Sequence, residues 1–249
     1  MSIKSFKRYE KKYLLNSEQY EKLVPRLLEY MKMDDHCINN SYSIFNIYYD
    51  TKDNAVIRHS ISKPYYKEKL RLRSYKVPQG PNDRVFLELK KKINGIVNKR
   101  RAVITLEEAY AFLELGKRPK CNDFITEQVI DEIEYYLSHT QVSPTVYIGY
   151  ERIAFFGKED KDFRLTIDSK IITRREDLFL ESGCHGVDIL KPNQYLMEVK
   201  ILGAIPIWLA EIFSELQIYN THFSKYGNEY MAYCQEQNMI NRKRREKIC

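Results

Sequence analysis

In KEKLRLRSY, Lys67, Lys69, Arg71 and Arg73 recur at every second residue, while Leu70 and Leu72 take the alternate positions. A β-strand sends successive side chains to opposite faces, so this segment presents one cationic face and one apolar face. VFLELKKK repeats the pattern with Glu88, Lys90 and Lys92 against Val85, Leu87 and Leu89, and VNKRRAVI sets Lys99 and Arg101 against Ala102 and Ile104. Near the start, Arg8, Glu10 and Lys12 alternate with Tyr9 and Tyr13. Later segments place Tyr150 with Arg152, then Arg164, Thr166 and Asp168, then Glu198 with Lys200, on one parity each.

Polar-out alternation is what any sheet with one solvated face shows, and a charge run by itself means little. These faces, however, choose Arg repeatedly, and the planar Arg fork suits bidentate phosphate contacts. A nucleic-acid groove would instead call for exposed aromatics beside the basic residues and has no evident need for inward carboxylates. The interleaved Glu10, Glu88, Asp168 and Glu198 point to compensated cations and to a hard divalent ion, Mn²⁺ or Mg²⁺, whose preferred partners are carboxylate and phosphate oxygens. Glu198 is the metal ligand expected.

The elements that must hold such faces are antiparallel strands whose apolar parity packs under helices. The expected class is α+β, a closed antiparallel β-barrel tunnel with helices outside and a charged channel inside. Helices are expected over Ser17–Lys32, where Leu23, Leu27, Leu28 and Met31 share a side, and at about Leu106–Leu115, Asp123–Ser138, Pro206–Gln217 and Ser224–Gln237. With 249 residues, 43% hydrophobic and 30% charged, the chain suits one folded domain, assigned to residues 1–240, with a basic tail at 241–249. The net charge of +7 is compatible with polyanionic partners. Five scattered cysteines without a C-x-x-C pair exclude a disulfide framework or zinc knuckle and favour a reducing compartment. No signal peptide or membrane span is evident, so a cytoplasmic location is expected.

Taken in order, RYEKKY (8–13), KLRLRSY (69–75), FLELKKK (86–92), YERIAF (150–155), FRLTID (163–168), LMEVK (196–200) and FSKYG (223–227) resemble the catalytic domain of the vacuolar transporter chaperone family. That family belongs to the triphosphate tunnel metalloenzymes and transfers the γ-phosphoryl group of ATP onto inorganic polyphosphate. The resemblance implies phosphate contacts for Lys12, Arg71, Arg73, Lys90, Arg152, Arg164 and Lys225. A substrate-binding set of Glu10, Lys99, which follows Gly95, Tyr150, Lys200 and Ser224 joins them, and Glu198 takes the metal.

The first strand reads Arg8-x-Glu10-x-Lys12, where the superfamily's hydrolases typically begin E-x-E-x-K, which weakens a hydrolytic reading. Three functions stay open at this point: a polyphosphate polymerase, a triphosphatase in the same tunnel, and a non-catalytic polyphosphate-binding module. ATP and inorganic polyphosphate are the expected partners, no nucleic acid is expected, and coupling to transport would call for a separate membrane protein. Cys184 with His185, His222, and the basic run NRKRREK (241–247) are assigned no site, since isolated clusters and solvated helix ends explain them.

Overall fold

The computed structural model describes residues 9–37, 40–94 and 96–246, with side chains described through Arg242. Arg8, Gly95 and the end of the basic tail lie outside the described residues. In chain order the elements are β1 (Tyr9–Leu15), α1 (Ser17–Tyr30), β2 (Met31–Met33), β3 (Tyr42–Asp50), α2 (Ala55–Ile61), β4 (Tyr66–Ser74), β5 (Arg84–Ile93) and β6 (Ile96–Thr105). There follow α3 (Leu106–Leu115), α4 (Phe124–His139), β7 (Ser143–Gly157), β8 (Arg164–Arg174), β9 (Val187–Asp188), β10 (Tyr195–Ile201), α5 (Ile207–Glu215), β11 (Asn220–Thr221) and α6 (Lys225–Glu246).

Local chemistry sets the helix starts. Asn16 Oδ1 accepts from the Gln19 amide at 2.8 Å while the Gln19 side chain reaches back to the Asn16 amide at 3.0 Å, so both orphan donors at the start of α1 are satisfied. Thr105 and Glu108 build the same box for α3, which ends on Gly116 in the left-handed region. Asp123 caps α4 through the Thr126 amide at 2.8 Å. The expected helix over Ser17–Lys32 stops at Tyr30, because Met31 turns extended and enters β2. α6 runs well past Gln237 and continues without a break at residue 240.

The strands form one antiparallel sheet in the order β11-β1-β10-β8-β7-β3-β4-β5-β6, with β2 on β7 and β9 on β8. The expected closed barrel is corrected here: among the described residues the terminal strands β6 and β11 do not pair, so hydrogen bonds do not close the sheet. The sheet still curls. Six strand spacings separate β1 from β5, which in a flat sheet would put them roughly 29 Å apart. Yet Lys90 on β5 lowers the pKa of Glu10 on β1, and Lys12 on β1 acts on Lys69 of β4. Side chains of the two ends therefore face one another across an interior.

Three apolar clusters stabilise this arrangement. Outside β3–β6, Ile47, Leu70, Leu72, Leu87 and Leu89 pack under α3 and α4 through Phe112, Ile130 and Ile133. Outside the other half, Leu15, Leu165, Met197 and Val199 pack under α1 and α5 through Leu23, Leu27, Leu209 and Ile212. Each such fully buried side chain contributes roughly 1.5–3 kcal/mol of hydrophobic free energy. Leu28, expected on the buried side of α1, is exposed instead.

The third cluster lies on the inner face, where Ile44, Val146, Ile148 and Leu196 receive Ile57 of α2 and Phe223 and Tyr226 at the start of α6. Asp50 locks that corner: its oxygens accept from the Val56 and Ile57 amides at 2.8 and 2.9 Å, and Tyr226 donates its hydroxyl at 2.7 Å. The interior is thus charged over part of its length and apolar over the rest. No helix of the described residues is long and apolar enough to cross a membrane.

Candidate active site on the inner face

Register brings the charged parities together. Across the sheet, Arg71 lies opposite Tyr48 and Glu88, Arg73 opposite Asn46, Glu88 opposite Arg101, Arg152 opposite Asp168, and Glu198 opposite Lys12 and Thr166. The cations gather around three carboxylates.

Glu88, fully buried, is the first hub. It accepts from Arg71 Nε at 2.7 Å and Arg101 Nε at 2.6 Å, with Lys99 Nζ at 3.3 Å and Arg73 Nε at 3.9 Å. Burial would raise its pKa, but Arg71, Arg73, Lys99 and Arg101 outweigh that and hold it far below the usual carboxylate range. Arg73 in turn donates from Nε to Asn46 Oδ1 at 2.8 Å and from Nη2 to the Tyr150 hydroxyl at 3.3 Å. Arg71 Nη1 donates to the Tyr48 hydroxyl at 3.1 Å. Tyr48 feels burial pushing its pKa up and Arg71, Arg73 and Lys69 pulling it down, and settles at about 8.

Asp168, also fully buried, is the second hub. Arg152 grips it through Nε and Nη2, and Lys225 Nζ sits 2.5 Å from Oδ2 and 4.6 Å from the centroid of the Tyr150 ring. Despite burial, Arg152 and Lys225 hold Asp168 below its ordinary value. Lys225 is raised, because Asp168 and Glu198 overcome its desolvation.

Glu198 is the third. Its Oε1 lies 3.4 Å from both Lys12 Nζ and Lys225 Nζ, and Oε2 lies 3.9 Å from Arg152 Nη2. Against desolvation, Lys225, Lys12, Arg152 and Lys200 keep it ionised well below the ordinary range. Glu10 is held low as well: burial and Glu198 oppose ionisation, while Lys90, Lys12 and Lys200 favour it more strongly. Lys200, desolvated and near Arg152 and Lys90, falls to about 8 despite Glu10 and Glu198.

Lys12 Nζ stands 3.5 Å from Glu10 Oε1 as well as 3.4 Å from Glu198 Oε1, so one ammonium bridges two carboxylates. Among the described residues no group of three His, Cys, Asp or Glu side chains could hold a metal ion. Two oxygen donors already sharing a cation nonetheless fit a hard divalent ion that completes its shell with phosphate oxygens and water.

The structure therefore brings Lys12, Arg71, Arg73, Arg152, Lys225, Glu10, Lys99, Tyr150, Lys200 and Glu198 to one face, with Lys90 across from Lys69 and Lys99. Arg164, the first residue of β8, shares this face directly across from Lys200, with its guanidinium over Phe156 at 4.8 Å and Asp34 at 4.0 Å, and among the described residues its buried Nε has no hydrogen-bond partner. Ser224 is exposed and caps α6, its hydroxyl accepting from the Gly227 amide at 3.2 Å.

Five participants were not assigned to the site from sequence. Glu88, Arg101 and Asp168 carried the right parity, and that signal could have found them. Asn46 and Tyr48 sit on β3, whose mostly apolar run carries no charge alternation.

No curated protein matches the chain. Solved structures that share the fold include the following two. One is a protein from Bacillus halodurans provisionally named an adenylate cyclase, 14% identical, with a TM-score of 0.52 over 88% of this chain and 95% of that one. The other is a Hippeastrum protein, provisionally named an adenylyl cyclase and described as having a dominant triphosphatase activity. It is 16% identical, with a TM-score of 0.52 over 87% of this chain and 92% of that one. At such identity the likeness is one of fold, the curled antiparallel tunnel sheet flanked by helices. The family model of the VTC domain matches residues 7–234, which takes in the three hubs and their cations. On that match this chain belongs to the VTC domain family.

Proposed function

We propose that this chain is a metal-dependent polyphosphate polymerase that moves the γ-phosphoryl group of ATP onto the terminal phosphate of a growing inorganic chain. A terminal phosphate oxygen forms the new bond to the γ-phosphorus, the bond to the β–γ bridging oxygen breaks, and ADP leaves. Such chemistry asks for positioning and for neutralisation of charge on the transferred group, not for a covalent nucleophile. Arg71, Arg73, Arg152 and Lys225 meet that demand because Glu88, Asp168 and Asn46 fix their orientation before substrate arrives. A divalent ion held by Glu198 with Glu10, Mn²⁺ or Mg²⁺, supplies further neutralisation on the phosphate oxygens when bound. Lys12, Lys90, Lys99, Lys200 and Arg164 bind the remaining phosphates in this reading, and Tyr150 and Ser224 line them.

The observation that favours polymerase over hydrolase is that the buried carboxylates are already engaged by cations, Glu88 by Arg71 and Arg101, Asp168 by Arg152 and Lys225, and Glu198 by Lys12 and Lys225. Glu10, Glu88, Asp168 and Glu198 are all held below the ordinary carboxylate range. A group so weakly basic is a poor base for activating water, whereas an acceptor phosphate is already ionised and needs none. The triphosphatase reading draws support from the Hippeastrum structure, whose description names that activity. Incubation with γ-labelled ATP and Mn²⁺, resolved on a gel beside a free-phosphate assay, separates the two. Chains with matching ADP support the polymerase, and free phosphate without chains supports the hydrolase. Coupling of synthesis to transport would fall to a separate membrane protein.

A further inference from the structure

The basic run that starts at Asn241 begins inside a helix. α6 runs unbroken from Lys225 to Glu246, so Arg242, Lys243, Arg244 and Arg245 occupy successive positions near its end. The first turns of α6 are anchored to the body of the fold. Tyr226 donates its hydroxyl to Asp50 at 2.7 Å, Glu229 accepts two hydrogen bonds from Arg175 at 2.6 and 2.9 Å, and the Tyr233 ring centroid lies 3.9 Å from the same guanidinium. Past that point packing stops. From 235 to 242 every residue but the half-buried Gln237 is exposed, and among the described residues none of their side chains makes a hydrogen bond, an ion pair or a ring contact.

A helix end without tertiary contacts is marginal in water, and this one also gathers like charge. Cations near a helix C-terminus offset the macrodipole, but that effect is confined to the last turn and is small at an exposed site. Residues 242–247 set five cations against one acid, Glu246, more than that role requires.

Apolar side chains line up along the same helix. At about 100° per residue, Met231, Met239 and Arg242 fall within about 80° of one another, so they form one stripe that leads into the basic end. Both methionines are more than half exposed, at 52% and 57%. At the anchored end Ile61 of α2, also exposed, lies against Gly227, where a Cβ would meet its Cγ1 at 3.8 Å. The loop after Ile61 leaves Tyr65 exposed as well. From Gly227 to Arg242 the strip is roughly 22 Å long, apolar where it starts and cationic where it ends.

We propose that this outer strip of α6 docks on the surface of an anionic lipid bilayer, with Met231, Met239 and Ile61 entering the headgroup boundary and residues 242–245 meeting the lipid phosphates and carboxylates. A bilayer interface takes aliphatic side chains below its headgroups and cations among them. Single-stranded nucleic acid is gripped by cations together with rings that stack on bases, and the methionines and Ile61 supply no ring. The helix lies on the surface and does not cross, and docking leaves the inner face free for phosphates.

The test is co-sedimentation of the full chain with phosphatidylcholine vesicles made with and without phosphatidylserine. Wild-type protein should bind only the vesicles that contain phosphatidylserine. Arg242→Gln, Lys243→Gln, Arg244→Gln and Arg245→Gln together should weaken that binding by at least about 100-fold, since each cation near an anionic surface is worth roughly fivefold. Met231→Gln with Met239→Gln should weaken it about tenfold with the charge intact. Arg71→Ala with Arg73→Ala, altered only on the inner face, should bind the vesicles as wild type does. Wild-type protein that ignores phosphatidylserine overturns the proposal, as does undiminished binding by the fourfold variant. Loss in the Arg71 and Arg73 variant equal to that in the fourfold variant would place the contact on the inner face and overturn it too. Single-stranded DNA bound as tightly as the vesicles, with the same loss in the fourfold variant and none in the methionine variant, overturns the assignment to lipid.

Discussion

Asp168 accepts two hydrogen bonds from Arg152, at 2.6 and 2.7 Å, in a fork that is closed to solvent on the carboxylate side. The same carboxylate reaches Lys225 at the first residue of α6, so one acid joins β7, β8 and the C-terminal helix. Charge compensation and tertiary closure are therefore the same contact.

Asp168→Asn should unmake both. Arg152 and Lys225 would face each other buried with only Glu198 between them, and breaking a buried pair in this way costs about 3–5 kcal/mol. Urea unfolding should report that loss. Adding Lys225→Met should recover part of it, because the orphaned cation is removed.

Arg71→Ala and Arg73→Ala should each lower turnover about 100- to 1000-fold, the usual consequence of deleting one preorganised donor to developing charge. Both variants should stay folded by circular dichroism, because these side chains point into the interior between strands and not into the packed outer layers. Unfolding of both would contradict their inner-face placement.

The depressed lysines set a pH dependence. Lys69 and Lys200 lose their protons near pH 8 in the free protein, against about 10.4 for an unperturbed lysine. Between those values the unfolded chain binds more protons than the native one, so these groups contribute stability that rises with pH through that window. A bound polyanion favours their charged forms. Polyphosphate binding slightly above pH 8 should thus take up protons, detectable as a calorimetric enthalpy that varies with buffer ionisation heat, and affinity should fall as pH climbs further.

On the acid side the sign reverses. Glu10, Glu88, Asp168 and Glu198 all have lowered values, so their contribution is fully present above the unfolded carboxylate range near 4 and is lost as pH falls through the folded values. Thermal melts should drop progressively below about pH 4.5.

Glu198→Gln should abolish the response to metal along with turnover. Electron paramagnetic resonance of Mn²⁺, titrated with protein and tripolyphosphate present, should show loss of the protein-bound ion relative to wild type. Full Mn²⁺-stimulated turnover in this variant would rule out the metal assignment.

Alternation of charge and apolar residues was enough to place β1, β4, β5, β6, β8 and β10 and to put their cations on a common face, because a period of two is a local property of the backbone. Capping residues likewise marked α1, α3 and α4. The same reasoning passed over β3, since YSIFNIYYD is buried on both faces at the middle of the sheet and carries no polar parity to read. Asn46 and Tyr48, which orient Arg73 and Arg71, were lost with it.

Which acid holds which cation was decided by strand order and register. Glu88 meets Arg71 and Arg101 only because β5 lies between β4 and β6, and Asp168 meets Lys225 only because α6 folds back onto the inner face, residues far apart in the chain. Sheet closure was decided at the same level. A sequence shows that strands have an inner face, but whether the outermost strands pair depends on the twist and curl summed over the whole sheet, and here β6 and β11 stay apart among the described residues.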